Sequence, residues 1–231
     1  MVAAATLALA ACGGANDNQK TAPAATATTA AETTSTAVDV AADKAKARTL
    51  VLAPSDLPSG WNAKPHQADP AGRALDDELA ACVGRPSQSS YATASANSPD
   101  FSKGDAEVSS EVQIVKTPAD FDADVAAIRG SKFIPCMKRI GAKALQQTGA
   151  TVQSVTVAPL EVASHGEYSA GFRATIRFEA QGQTVTLYSD DILLGKDRIE
   201  LTATLFDVQR PPDTALEEAV VAKLAAKLDA A

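Results

Sequence analysis

Apolar side chains occupy every second position over eleven residues, and this alternation constrains the fold more than any other feature of the chain. Its members are Tyr168, Ala170, Phe172, Ala174, Ile176 and Phe178. A period of two places these side chains on one face of a β-strand, which must be covered by an apolar layer. Gln181-Gly182 then predicts a hairpin turn, and Gly195-Lys196-Asp197 predicts another before a further alternating run. The pattern predicts an antiparallel meander with one buried face.

Helix signals surround this meander. Leu75, Leu79 and Val83 share one helical face, and Gly84 ends that helix. The other helices are predicted at Thr117-Pro118-Ala119-Asp120, from Pro135 to Gly149, and after the capping residue Asp213. A strand runs from Val108 to Ile114, and residues 85–105 read as a long loop. The order predicts an α+β domain, with an antiparallel sheet of about four to six strands and helices packed on one face.

The N-terminus has the pattern of a bacterial lipoprotein signal. An apolar segment, residues 1–11, ends in Leu9-Ala10-Ala11-Cys12, the form of a lipobox whose cysteine receives a diacylglycerol. Two acyl chains on Cys12 would hold the protein stably on the outer face of a membrane. No basic residue precedes Lys20, so we expect the natural start to lie upstream of Met1. Ordinary secretion and a buried alanine-rich helix are the alternatives.

Residues 12–48 are predicted to be a disordered tether. Ala and Thr supply 19 of the 36 residues that follow Cys12, and aromatic residues are absent from them. Such a segment buries too little apolar surface to offset its chain entropy, although a short helix near its end is compatible with the sequence. All ten aromatic residues lie at or after Trp61. The folded domain is therefore predicted over residues 49–231.

Three cysteines become two once Cys12 is lipidated. Cys82 and Cys136 each lie on the inward side of a predicted helix, and export would expose them to an oxidising compartment. A disulfide between them is therefore predicted. The alternatives are buried free thiols, or a metal or catalytic site. His66 and His165 are the only histidines that could join such a site, so no metal or cofactor is predicted.

The segment from Cys82 to Cys136 carries a family resemblance. A helix with Cys82, a strand from Val108 to Val115, and a Pro118 helix leading into Lys132-Phe133-Ile134-Pro135-Cys136 resemble actinobacterial extracytoplasmic sensor-type domains. These include the sensor domains of PknH-type kinases and the LpqN-like lipoproteins. The resemblance covers about residues 82–206. It implies an α+β sandwich, a disulfide that links helices, and a groove for an unidentified ligand. The kinase sensor domains carry two disulfides, whereas this chain can form one.

Few residues suggest chemistry. The formal charge of −7 argues against a nucleic-acid partner. Arg173 and Arg177 share one face of a strand with Glu179 and form either an anion-binding patch or a charged exposed surface. Trp61 is either a ligand-stacking residue or part of the core. Asp190-Asp191 would project to opposite faces of its strand and reads as a solvated edge.

Two functions follow from these patterns. The first is a lipid-anchored binding or sensor module, not an enzyme, whose partner is a small ligand or a protein of the cell envelope. Such a module would have a largely apolar pocket between helices and sheet. The second is an extracytoplasmic hydrolase that uses His165 and Asp191. This alternative requires the two side chains to meet in a polar cleft.

Overall fold

The computed structural model describes residues 38–231. The predicted signal peptide, the lipidation site at Cys12 and most of the predicted tether lie outside the described residues. Within residues 38–231, no helix combines the length and the apolar character needed to span a membrane.

Six α-helices and eight β-strands are found within this described part of the chain. In chain order they are α1 (Val40–Leu50), β1 (Asn62–Lys64), α2 (Pro70–Val83), α3 (Gln88–Tyr91), β2 (Ala92–Asn97), β3 (Asp100–Lys103), β4 (Ala106–Val115), α4 (Pro118–Arg129), α5 (Phe133–Gln147), β5 (Thr151–Leu160), β6 (Tyr168–Ala180), β7 (Gln183–Lys196), β8 (Ile199–Val208) and α6 (Thr214–Asp229). The α+β class predicted from the sequence is confirmed.

The strands form one antiparallel sheet in the order β1-β3-β4-β8-β7-β6-β5, and β2 pairs with the same edge of β4 as β3 does. The predicted meander from β5 to β8 is confirmed. The sheet has more strands than the four to six predicted, because residues 85–105 contain α3, β2 and β3 instead of a long loop. These short strands carry few large apolar side chains. Their pairing with β4 supplies the stabilisation that their own sequence does not show.

Helices cover both faces of this sheet, so the prediction of helices on one face is wrong. Paired residues of neighbouring strands project to the same face, and the register aligns Phe172 with Asp191, and Asp191 with Thr204. Phe172 in β6 therefore projects away from the face that carries Leu205 in β8. Because the apolar residues of the two strands lie on opposite faces, each face needs its own cover. Helices α1 and α6 pack on the Leu205 face, and α2, α4 and α5 pack on the Phe172 face.

Helix α1 begins at Val40, inside the segment predicted to be tether. Asp39 caps it, with its carboxylate accepting hydrogen bonds from the backbone N–H groups of residues 41 and 42. Ala47 and Leu50 are fully or almost fully buried in the main core. The folded part of the described chain thus starts near Val38 and not at Thr49. Alanine lets this helix lie close to β2 and β4, which a prediction based on large apolar side chains overlooks.

The local signals for helix ends and turns are found as predicted. Thr117 and Asp120 form a capping box at the start of α4. Gly84 ends α2 in the left-handed conformation, with a φ of 87°, which favours glycine. The β6–β7 hairpin turns at Gln181-Gly182, where φ is 53° and 75°. These residues determine local geometry almost independently of the rest of the molecule.

The structure joins Cys82 of α2 to Cys136 of α5 in a disulfide, which confirms the predicted bridge. Their Cα atoms lie 6.0 Å apart. The bridge ties α2 to α5, whose Phe133 packs on Phe172 of the sheet with ring centroids 4.9 Å apart. It therefore holds α2 in place over the sheet, a position that determines the cavity described next.

Candidate functional site

A cavity of about 370 Å³ lies between the sheet and helices α2, α4 and α5. Its floor is the central part of the sheet, where β4, β7 and β8 present mainly polar side chains to the helices. These floor residues are Glu111, Gln113, Asp191, Leu193, Glu200, Thr202 and Thr204. The helices cannot close onto carboxylate and amide groups as they close onto the apolar face of β6, because buried polar groups need hydrogen-bond partners. The polar floor thus explains why the cavity is there.

The roof of the cavity is mainly apolar. Its apolar members from the three helices are Leu79, Ala80, Val83, Ala127, Ile128, Phe133 and Met137. A pocket between helices and sheet is therefore present as predicted, but the prediction that it is largely apolar holds only for its helical side. The carboxylate-rich floor was not predicted. A ligand that fills this space would contact apolar groups on one side and carboxyl groups on the other.

One end of the cavity is built around Asp124 of α4. Arg85 donates from Nε to Asp124 Oδ1 at 2.7 Å, and the Tyr91 hydroxyl donates to the same oxygen at 3.4 Å. The Arg85 guanidinium also lies over the Tyr91 ring, 4.8 Å from its centroid. Burial and the charge of Asp124 raise the pKa of Tyr91 to about 12. The Arg85 cation is thus already paired with a carboxylate of the protein.

Glu200 of β8 faces Asp124 across this end of the cavity. Burial and the adjacent Asp124 carboxylate raise the pKa of Glu200 to about 9. Glu200 is therefore protonated and neutral at pH 7, and its proton can be shared with Asp124. Asp124 Oδ2 and Glu200 Oε1 are both buried and have no other hydrogen-bond donor within residues 38–231.

Three further carboxyl groups line the cavity, Asp76, Glu111 and Asp191. Burial raises the pKa of Asp191 to about 6, even though its carboxylate accepts a hydrogen bond from Thr204 at 2.9 Å. Burial and the nearby Asp76 carboxylate raise the pKa of Glu111. Within residues 38–231, no ion pair involves any of the three. No cationic side chain of the described residues therefore pairs directly with these three carboxyl groups.

The Gln113 side chain is the best indication that the cavity accommodates a ligand. It is 4% exposed, and its Nε2 amide donor has no hydrogen-bond partner. The Tyr91 hydroxyl lies near this amide and donates its proton to Asp124, and its oxygen, which could still accept, makes no hydrogen bond of normal geometry with Gln113 Nε2. A buried donor without an acceptor costs free energy, on the order of 1–3 kcal/mol. An acceptor supplied from the cavity would remove this cost.

No group of three or more histidine, cysteine or acidic residues within residues 38–231 has the geometry to hold a metal ion. The five cavity carboxyl groups are spread over α2, β4, α4, β7 and β8. A metal site requires oxygens that converge on one point, at about 2.0–2.6 Å from the ion. The arrangement suits a larger ligand with its charge near several carboxylates.

The residues predicted to bind ligand lie elsewhere. Trp61 is half-buried, packs against the main core and lines a separate open groove of about 540 Å³ with Phe206 and Arg210. Arg173 is held by Asp190 and Glu217 beneath α6. It is consequently paired inside the protein and does not form an anion-binding patch with Arg177, which is exposed.

The paired acids Asp190 and Asp191 do project to opposite faces, but neither is a solvated edge. Asp190 is fully buried against Arg173, and Asp191 faces the cavity. His165 lies in the loop before β6, where its neighbour Gly166 pairs with Gly195. Gly195 is four residues along β7 from Asp191, about 13 Å away. His165 does not line the cavity, so the structure does not assemble the arrangement that the hydrolase alternative requires.

Sequence reasoning singled out Asp191 but missed the other polar residues of the cavity floor, because each one fits an ordinary strand pattern. Glu111 and Gln113 alternate with Val112 and Ile114, and Glu200 alternates with Leu201, as in strands with a solvated face. A helix layer over that face cannot be read from this alternation. The apparent solvent face of β4 and β8 is thus the floor of the cavity.

No family model and no curated protein matches the chain. Among solved structures, the chain is similar to the extracellular domain of PknH from Mycobacterium tuberculosis, at 12% identity and a TM-score of 0.44, with 81% of this chain and 97% of that chain covered. It is also similar to LpqN, a protein involved in cell envelope biogenesis of Mycobacterium tuberculosis, at 10% identity and a TM-score of 0.27, with 76% and 79% covered. Both proteins are of the kinds that the sequence resembles.

Proposed function

We propose that the protein is an extracytoplasmic binding module, anchored to the outer face of the cell membrane through Cys12, which holds a small ligand in the cavity between the sheet and helices α2, α4 and α5. The observation that carries the binding role is the buried amide of Gln113, a residue that lines this cavity and whose Nε2 donor has no hydrogen-bond partner within residues 38–231. The Cys82–Cys136 disulfide supports the proposal because such bridges persist in oxidising compartments.

The module binds its ligand without converting it. The hydrolase alternative that uses His165 needs this histidine in contact with a nucleophile and an orienting acid. The loop position of His165 separates it from the cavity carboxylates. The Glu200 proton shared with Asp124 has a structural role, because it lets two buried carboxyl groups lie side by side.

The anchor is tested by fractionation of the source cells. The natural chain should enter the membrane fraction and carry the mass of an acylated cysteine. Cys12→Ala should release or mislocalise the protein. Unchanged membrane association of Cys12→Ala would exclude the lipid anchor.

The binding role is tested by native mass spectrometry of the chain purified from its own host. We expect an adduct that is lost in Ala127→Phe, since Ala127 lines the cavity and the larger side chain would fill it. The matched control is Ala126→Phe, at the exposed neighbouring position of α4, which should keep the adduct. Either the absence of an adduct from the unsubstituted chain or its retention in Ala127→Phe contradicts the proposal.

A further inference from the structure

We infer that the ligand of this cavity is a small organic cation, with an ammonium group near Asp76, Glu111 and Asp191, an apolar body under the helices and a hydrogen-bond acceptor for Gln113. This inference rests on the proposed binding function and names the ligand class.

The charge of the cavity favours a cation. Five carboxyl groups and a single guanidinium line it. Arg85 is paired with Asp124, and Glu200 shares a proton with the same carboxylate, which leaves Asp76, Glu111 and Asp191. His66 lies near Glu111, but its Nδ1 pairs with Asp100 at 2.9 Å. A positive ligand would relieve the repulsion among the three remaining carboxylates, whereas an anion would increase it.

The distribution of the carboxyl groups selects an organic ion over a metal. Asp76 projects from α2 at the rim, whereas Glu111 and Asp191 rise from two strands that are separated by β8. Carboxylate oxygens that are spread in this way can surround an ammonium group with its carbon skeleton. They do not converge on one point, as the coordination of a metal ion requires. The absence of any three-residue metal geometry from residues 38–231 agrees with this choice.

The opposite side of the cavity defines the rest of the ligand. The helical roof presents aliphatic and aromatic groups, with Ile128, Phe133 and Met137 above Leu193 of the floor. These groups favour a hydrocarbon or aromatic body, since they gain nothing from a strongly hydrated ion. The Gln113 Nε2 donor lies on the polar floor and requires a hydroxyl or carbonyl oxygen. A hydroxylated or carbonyl-bearing amine combines all three features.

The test uses isothermal titration of the folded chain with four matched probes. Phenylethanolamine carries an ammonium, a hydroxyl and an aromatic ring. Phenylethylene glycol replaces the ammonium with a neutral hydroxyl, and mandelate carries a carboxylate in place of the aminomethyl group. Phenethylamine keeps the ammonium but lacks the hydroxyl. We expect phenylethanolamine to bind at least about tenfold more tightly than the glycol, and mandelate to show no binding, since one compensated charge is commonly sufficient for a tenfold change.

Substitutions test which residues contact the ammonium group and the acceptor oxygen of the ligand. Glu111→Gln and Asp191→Asn should each weaken phenylethanolamine about tenfold and leave the glycol unchanged. Each substitution replaces a carboxylate with a neutral amide and so reduces the repulsion among the cavity carboxylates. We therefore expect both variants to fold. Glu107→Gln, at an exposed position of the same strand as Glu111, is the matched control and should change nothing. Phenethylamine should bind the natural chain more weakly than phenylethanolamine does. The two amines should bind the Gln113→Met variant with equal affinity, because this variant lacks the amide donor.

The outcomes separate the ligand class from the binding function. Equal affinity for phenylethanolamine, phenylethylene glycol and mandelate overturns the assignment of a cation while leaving the cavity as a binding site. Amine binding that is unchanged in both Glu111→Gln and Asp191→Asn overturns it as well, and so does the absence of binding by all four probes. The binding function itself fails only if native mass spectrometry shows no adduct that depends on the cavity.

Discussion

Arg173 of β6 donates two hydrogen bonds to Asp190 of the neighbouring strand β7, from Nε and from Nη2, and each is 2.6 Å long. Asp190 is fully buried, and the same guanidinium reaches Glu217 of α6 at 2.9 Å. The register places Arg173 directly opposite Asp190, so the pair needs no distortion of the sheet. This group links α6 to the sheet face opposite the cavity.

Removal of Arg173 should therefore be strongly destabilising. Arg173→Met would leave Asp190 buried without its cation, and breaking such a pair costs about 3–5 kcal/mol. Arg177→Met is the matched control, because Arg177 is exposed on the same strand and its loss should change stability by less than about 0.5 kcal/mol. Urea unfolding measures both values. Equal stability of the two variants would show that Arg173 is not structurally important.

The disulfide should stabilise the domain by reducing the conformational entropy of the unfolded chain. Cys82 and Cys136 are 54 residues apart, and a loop of this length predicts a contribution of about 4 kcal/mol. Reductant should lower the urea midpoint of the natural chain by the corresponding amount. The double variant Cys82→Ala and Cys136→Ala should show the low midpoint with and without reductant. An effect of reductant on the double variant would indicate that it acts elsewhere.

Buried carboxyl groups should make the domain more stable at mildly acidic pH than at alkaline pH. The pKa of Glu217 is raised to about 7, by burial and by the adjacent Asp190, and that of Glu200 to about 9. The folded state thus keeps protons that the unfolded chain loses near pH 4.5. Stability contributed by these groups is complete below that pH and falls as pH rises toward 9. Urea midpoints at pH 5, 7 and 9 should decrease in that order.

A Glu200→Gln variant tests whether the decrease in the urea midpoint between pH 7 and 9 comes from Glu200. Glutamine cannot ionise and can still donate to Asp124, so the decrease between pH 7 and 9 should become shallower. At low pH the opposite sign applies to Asp43 and Asp56. Burial raises their pKa values, but their hydrogen bonds and the charges of nearby cations, Arg198 and Lys227 foremost, together outweigh burial and lower the pKa of each. Their contribution is lost as pH falls below about 3.8. A Glu200→Gln profile identical to that of the natural chain would contradict a protonated Glu200.

Helix α1 should contribute to folding although it lies in a segment rich in alanine and threonine. Ala47 is fully buried against the core, whereas Ala45 is exposed on the same helix. Ala47→Glu would force a charge into the core and should cost about 3 kcal/mol or more. Ala45→Glu should be nearly neutral. Thermal unfolding of the two variants compares them, and equal melting temperatures would mean that α1 does not pack in solution as the structure shows.

Local patterns predicted much of the secondary structure. The alternation that starts at Tyr168, the turn at Gln181-Gly182 and the cap at Thr117 each act through neighbouring residues, so they can be read without knowing the fold. The strands β2 and β3 were missed because their stability comes from pairing with a distant strand. A short helix near α1 was compatible with the sequence, but its packing into the core was missed, because its burial depends on close packing of alanine.

The candidate site could not be predicted from these patterns. The sequence by itself determined that β4 and β8 have one apolar and one polar face, that two helices carry inward cysteines, and where α4 and α6 begin. Only the tertiary structure decided that α2, α4 and α5 cover the polar face, so that Glu111, Gln113 and Glu200 line a cavity instead of meeting solvent. Alternation with a period of two residues assigns each strand residue to one of the two faces of the sheet. What lies over each face depends on strand register and helix packing across the whole chain.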